Sequence, residues 1–277
     1  MKIIEELIEL KQILKNLSKN NKKISLIPTM GSIHKGHLSL INQSKKMNCI
    51  SVVTIFVNPT QFNDSKDFKN YPRNKEEDIS ILINGNCDFL YFPKNIELYP
   101  RGVKRKKTVF DYRNILCDKY RPNHFDGVTT VVHNLFNLIK PDIAFFGEKD
   151  LQQLKLIEKL VSNNNLPIEI YACPSIRMKN GMSYSSRYKN FSLYQKTIFD
   201  KIACKVYNSL KKLKEKIDTN IINNLRDEIL KLGVINIDYL EIREEKNLNI
   251  SDENFNSRLF LAIKIDQIRI IDNFILY

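Results

Sequence analysis

Apolar residues recur at helical spacing near the start of the chain (Ile3, Leu7, Leu10, Leu14, Leu17), with Lys and Glu between them. That periodicity predicts an amphipathic helix. Five short β-branched or aromatic runs follow: "ISLI" from 24, "CISVVTIFV" from 49, "DFLYF" from 88, "DIAFF" from 142 and "IEIYAC" from 168. Each ends in a turn and a helical pattern. Parallel strands need a crossover connection, so this alternation predicts an α/β fold with a parallel sheet covered on both faces. Near residue 175 the pattern changes. Two Lys-rich helical stretches, about 192–216 and 219–232, precede the candidate strands "INIDYLEI", "RLFLAIKI" and "IRIIDNFIL". We therefore expect two domains, 1–174 and 175–277, the second a smaller α+β unit.

Composition narrows the class. The chain has 277 residues and is 43% hydrophobic, enough for a buried core. No run approaches the ~20 apolar residues of a membrane span. "MKIIEELIELKQIL" carries acids where a signal peptide has a plain apolar segment. A cytoplasmic protein is expected. The five cysteines have no C-x-x-C spacing and no neighbouring His, which predicts reduced, mostly buried thiols rather than a metal site or disulfide framework. A net charge of +13 is compatible with a nucleic-acid partner. However, Lys carries the excess in a sequence also rich in Asn and Ile, and runs such as "KRKK" (Lys104 to Lys107) read as solvated loop residues.

Chemistry concentrates after the strands. "PTMGSIHKGH" follows the first, "NPTQF" the second, "GEKDLQQ" follows "DIAFF", and "SIRMKNGMSYSSR" follows "IEIYAC". Ligands of open parallel sheets bind beyond the carboxyl ends of the strands, so these four loops are expected to converge. Gly31 permits a tight turn, and the helix opening at "GHLSL" offers an anion its free N–H groups. His34 and His37, two of only four histidines, can donate to phosphate oxygens there. A metal site or a structural loop are the alternatives for this pair. Lys149 and Arg187, with Ser185 and Ser186, suit a polyphosphate. Glu148 and Asp150 suit water-mediated Mg²⁺ or a sugar hydroxyl, and Asn58, Gln61 and Gln153 a small polar substrate.

Together "PTMGSIHKGHLSL", "VVTIFVNPTQF", "YPR", "RPNHFDGVTTVVHNLFNLIKPDIAFFGEKDLQQL" and "NGMSYSSR" resemble the pantoate-β-alanine ligase family of H-x-G-H nucleotidyltransferases. The likeness covers residues 24–190 in order. It implies a Rossmann-like ATP- and pantoate-binding domain, a C-terminal lid domain, a cytoplasmic homodimer, and no nucleic-acid or membrane partner. It also implies a reaction that joins (R)-pantoate to β-alanine through a pantoyl adenylate, with ATP as substrate and Mg²⁺ accompanying it.

Carried over by motif, the resemblance places Met30, Gly31, His34, Gly36 and His37 at ATP, with His37 the proton donor. It places Gly147, Glu148, Lys149 and Asp150 at adenosine and phosphates, Lys149 being the main electrostatic stabiliser. Ile176, by its backbone, and Tyr184 through Arg187 complete the nucleotide contacts. Gln61 and Gln153 hold pantoate, Gln61 also lies close to β-alanine, Asn58 is nearby, and Tyr71 belongs to a mobile lid. Two residues depart from the family pattern. Tyr184 stands where Met or Leu is usual, and Thr60 where Met is frequent. The rivals are another H-x-G-H nucleotidyltransferase, which would not need the two glutamines, and an RNA-binding protein, which would need a basic, aromatic stripe.

Overall fold

The computed structural model describes residues 1–100, 102–103 and 106–277; Lys104 and Arg105 of the basic run lie outside the described residues. The chain divides into two compact units. One comprises Met1–Arg113, Arg121–Glu148 and Gln153–Ser175, and the other Asn114–Tyr120, Lys149–Gln152 and Ile176–Tyr277.

The first unit starts with β1 (Lys2–Ile4), α1 (Leu7–Lys19), β2 (Ile24–Thr29), α2 (Lys35–Lys46) and β3 (Ile50–Ile55). It continues through α3 (Ser65–Asn70), α4 (Lys75–Asn84), β4 (Phe89–Tyr91) and the single turn α5 (Asn95–Leu98). After a short α6 (Leu116–Tyr120), which belongs to the second unit, come α7 (His124–Ile139), β5 (Ile143–Gly147), α8 (Leu151–Asn163) and β6 (Glu169–Cys173). The six strands form one parallel sheet in the order β1-β4-β3-β2-β5-β6. From β2 the chain winds outward through β3 and β4, then returns to β2's other side with β5 and β6. The strand order therefore reverses between β2 and β5, where such a doubly wound sheet opens a crevice at its carboxyl edge.

Burial explains why the strands read as continuous apolar runs. Ile27, Val53, Leu90 and Phe145 pack against Leu40 and Ile41 of α2 and Leu82 of α4. Their strand neighbours Leu26, Val52, Tyr91 and Ala144 point to the other face and are also fully buried. Both faces are covered, so period-two alternation is lost. Ser25 sits inside β2 because its hydroxyl pairs with that of Ser44 on α2 at 2.6 Å.

The structure corrects the reading of the first residues. Ile3 does not belong to the helix: Lys2–Ile4 is an edge strand paired with β4, and the helix begins at Leu7. Ile3 is 39% exposed while Ile4 is buried. The four-residue interval from Ile3 to Leu7 mimicked a helical repeat, and three residues are too few to display a strand period.

In the second unit α9 (Leu193–Glu215) and α10 (Thr219–Lys231) precede β7 (Asn236–Glu244), β8 (Ser257–Ile265) and β9 (Ile268–Ile275), an antiparallel sheet in that order. Ile198, Ile202 and Val206 of α9, with Leu225 and Ile229 of α10, share a core with Leu240, Leu261 and Ile270 of the sheet. Ser192 starts α9 in a reciprocal capping box with Gln195.

All five cysteines are free thiols, and only Cys204 is exposed. Burial pushes Cys87 and Cys173 up to about 11, so they stay protonated at neutral pH. Ellman's reagent is expected to titrate one thiol promptly in the native protein and all five in denaturant. Prompt reaction of two or more native thiols would contradict this packing.

Candidate functional site

Backbone geometry builds the first loop. Thr29 ends β2 with its hydroxyl donating to the Thr54 carbonyl (2.8 Å) and accepting from Gly31 N–H (3.2 Å). Gly31 follows at φ +80°, and a Cβ there would lie 2.8 Å from Asp78 Oδ2. Left-handed backbone and close approach both require glycine. Asp78, on α4 and 2% exposed, accepts from the N–H groups of Ser32 (2.8 Å) and Ile33 (2.6 Å), one on each oxygen. A buried carboxylate thus fixes the loop that delivers the histidines.

His34 is the N-cap of α2. Its Nδ1 accepts from Gly36 N–H (3.1 Å), and His37 Nδ1 accepts from His34 N–H (3.3 Å). The rings stack 4.1 Å apart, 24° from parallel. A main-chain N–H can only donate, so both Nδ1 atoms are acceptors and each neutral imidazole carries its proton on Nε2. Two Nε2–H donors therefore accompany the positive end of the α2 dipole, an arrangement suited to an anion.

The second loop leaves the adjacent strand: Thr29 pairs with Ile55, three residues before the buried Asn58. Pro59–Gln61 form one 3₁₀ turn capped by the Asn58 side chain. Gln61 is 9% exposed, and its Nε2 lies 2.8 Å from Met30 Sδ, joining the first two loops. Thr60 gains a role from its hydroxyl, which donates to Asn58 Oδ1 at 2.9 Å, a bond methionine lacks. Tyr71, at the end of α3, is buried edge-on against Phe62, with ring centroids 5.7 Å apart.

The third loop continues from β5. A Cβ on Gly147 would meet nothing within 4 Å, so packing does not demand glycine there. Glu148 and Gln153 are half-buried in the first unit; Lys149 and Asp150 belong to the second, with Lys149 Nζ 3.7 Å from Asp150 Oδ2. The two glutamines separate by role: Gln152 accepts from Cys117 N–H (2.9 Å) and donates to the Ile115 carbonyl (3.0 Å), while Gln153 lies one helical step round. Among the described residues, no three His, Cys, Asp or Glu side chains gather as metal ligands.

The fourth loop is a hairpin in the second unit. Arg177 bridges Ser183, Tyr184 N–H donates to the Ile176 carbonyl (3.1 Å), and Gly181 turns the chain at φ +88°. This hairpin bond uses the Tyr184 backbone and does not depend on the identity of its side chain. Ser185 precedes a 3₁₀ segment, Ser186–Asn190, that contains Arg187. Asp272 of β9, itself buried, accepts from Ser183 N–H (2.7 Å), Ser183 Oγ (2.6 Å) and Arg177 Nη1 (3.3 Å).

Sequence reasoning missed the two carboxylates beneath these loops, Asp78 and Asp272. Asp78 looked like one more acid in "KEEDISIL"; only its placement at an otherwise apolar helical position distinguishes it. Asp272 sits in the run "IRIIDNFIL", where a charge amid strand residues was the available signal.

Asp78→Ala leaves two buried N–H groups unpaired and is expected to lower unfolding stability by about 3 kcal/mol. Asp78→Asn, which keeps one acceptor, should lose less. Urea unfolding checks both, and a loss below about 0.5 kcal/mol for the alanine variant would show that the carboxylate does not hold the loop.

Comparison with known proteins bears directly on this arrangement. The family model described as pantoate-beta-alanine ligase matches residues 2–275. The pantothenate synthetase of Wigglesworthia glossinidia brevipalpis is 44% identical over 287 aligned positions, covering 99% of this chain and 98% of the relative. That of Thermosipho africanus is 39% identical with both chains fully covered. A crystal structure of the Francisella tularensis pantoate-beta-alanine ligase, complexed with beta-gamma ATP and beta-alanine, superposes with a TM-score of 0.86 at 35% identity, over 100% of this chain and 98% of that one. Pantothenate synthetase from Thermus thermophilus gives 0.91 at 28% identity, with both chains fully covered. With sequence, sheet order and the second unit's topology in agreement, the chain belongs to the pantoate-beta-alanine ligase family.

Proposed function

We propose that this protein is an ATP-dependent ligase that condenses (R)-pantoate with β-alanine to give pantothenate, AMP and pyrophosphate. The observation that carries the reading is the reciprocal histidine cap at the β2 carboxyl end, within a chain of this family. It supplies two neutral Nε2–H donors and a helix N-terminus, an arrangement matched to phosphate oxygens.

In the first step a pantoate carboxylate oxygen attacks the α-phosphorus of ATP and pyrophosphate leaves. As phosphorus becomes five-coordinate, charge builds on its oxygens. His34 and His37, at the positive end of the α2 dipole, are assigned to those oxygens, with His37 as proton donor. Met30, Gly31 and Gly36 bring backbone close to the nucleotide. Lys149 is assigned to the phosphates as the main positive charge. Gly147, Glu148 and Asp150 contact adenosine and phosphates, and Ser185, Ser186 and Arg187 neutralise the polyphosphate. The backbone at Ile176 and Tyr184 meets the adenine. Mg²⁺ arrives with ATP as part of that substrate, held largely by phosphate and water.

The carboxylate becomes a mixed anhydride because a free carboxylate is a poor acyl donor. In the second step the β-alanine amine attacks the acyl carbon and AMP departs. Gln61 and Gln153 hold pantoate, and Gln61 also serves β-alanine; Asn58 supports Gln61, and Tyr71 acts in a lid that keeps water from the adenylate. The C-terminal unit, near residues 175–277, is read as covering ATP. The assembly is read as a cytoplasmic homodimer, as family kinship implies.

Purified protein is expected to exchange pyrophosphate into ATP only when (R)-pantoate is present, without any need for β-alanine. Absence of that exchange in folded protein would overturn the two-step reading. Lys149→Ala and His37→Ala should each raise the adenylation barrier by about 3 kcal/mol, as loss of a transition-state donor does. Losses below about tenfold at both positions would remove those assignments.

A further inference from the structure

Gln61 is held from both sides by groups whose hydrogens are fixed by their partners, and three of them, Arg121, His124 and Tyr99, have no part in the reaction chemistry proposed for this chain. Its backbone carbonyl lies 2.6 Å from His124 Nδ1 and 3.2 Å from Arg121 Nη2, while Arg121 Nη1 lies 3.0 Å from His124 Nε2. A guanidinium has no acceptor, so His124 Nε2 carries the lone pair and Nδ1 the proton. His124 therefore donates to the Gln61 carbonyl, and its tautomer is set by Arg121. His124 is buried at the first residue of α7.

The side chain is fixed by the same logic. Thr60 N–H, an obligate donor, lies 3.3 Å from one end of the Asn58 amide, which identifies that end as Oδ1. Tyr99 OH also donates to it at 2.8 Å. Asn58 Nδ2 then faces the Gly127 carbonyl, an obligate acceptor, and Gln61, each at 3.1 Å. The Gln61 atom turned toward Asn58 must be Oε1, which leaves Nε2 directed at Met30 Sδ, a weak acceptor. α7 lies against this turn because residue 127 is glycine: a Cβ there would sit 2.5 Å from the Thr60 carbonyl oxygen and 2.8 Å from Gln61 N.

We propose that Arg121 and His124, together with Asn58 and Tyr99, are positioning residues that present the Gln61 amide to pantoate strictly as an N–H donor, selecting an acceptor oxygen of the substrate. The assignment rests on Gln61 binding pantoate in the proposed function. Arg121 and His124 act through the Gln61 backbone, Asn58 and Tyr99 through its side chain; none of the four needs to touch the substrate. An orientation enforced by obligate partners costs no reorganisation on binding, so its loss should weaken pantoate and leave ATP unaffected.

The test is a pair of variants that keep different nitrogens. In His124→Asn the side-chain amide reaches the place of Nδ1 and retains the donor to Gln61; in His124→Gln it reaches the place of Nε2 and loses it. We expect His124→Gln to raise the pantoate KM about tenfold with the ATP KM within about twofold, and His124→Asn to stay within about threefold of wild type for both. Tyr99→Phe, which removes one hydroxyl at nearly constant volume, serves if the glutamine variant does not fold, and should raise the pantoate KM by about threefold or more. Equal pantoate KM values in the two His124 variants, or a wild-type pantoate KM in Tyr99→Phe, would overturn the positioning role. Both outcomes are read against wild-type pantoate-dependent exchange; its absence would overturn the proposed function itself, and the positioning role with it.

Discussion

Parallel strands leave every following loop at the same edge of a sheet, and that constraint organises this molecule. β3, β2, β5 and β6 lie side by side in one direction, so "PTMGSIHKGH", "NPTQF", "GEKD" and the segment after Cys173 all begin at one edge. Strand cores buried on both faces carry no chemistry and supply rigidity. The candidate site residues lie at the exits, where backbone groups no longer pair within the sheet and need other partners.

Those partners are largely buried acids, amides and imidazoles. Asp78 takes two N–H groups of the first loop, Asn58 spans the second turn, and Asp272 ties down the hairpin that leads into Ser185 and Arg187. His34 and His37 satisfy the first N–H groups of α2, work usually done by Ser, Thr, Asp or Asn. Capping with imidazole turns two structural bonds into a protonation rule, because an Nδ1 that accepts leaves its hydrogen on Nε2. Stability and the proposed chemistry share the same two side chains at this turn, through Nδ1 and Nε2 respectively.

Much of this was legible in the sequence. The sheet strands could be read because runs such as "CISVVTIFV" are long, β-branched and closed by turns, and "HKGH" stood out because histidine is scarce. The edge strand Lys2–Ile4 was not legible, since three residues have no period and Ile3 falls by chance on the helical repeat. Asp78 and Asp272 escaped because their importance lies in contacts with Ser32 and Ser183, 46 and 89 residues away in the chain. The roles of Arg121 and His124 were hidden in the same manner: "RPNHF" carries family resemblance, yet nothing in it reveals that both side chains grip the Gln61 carbonyl.

The central claim is that a pantoate carboxylate oxygen forms a bond to the α-phosphorus of ATP. Pantoate labelled with oxygen-18 in its carboxylate tests it most directly, with AMP and pyrophosphate separated and weighed by mass spectrometry after one turnover with β-alanine. The account predicts a single labelled oxygen in AMP and none in pyrophosphate. Label in pyrophosphate, or unlabelled AMP alongside newly formed pantothenate, would contradict it.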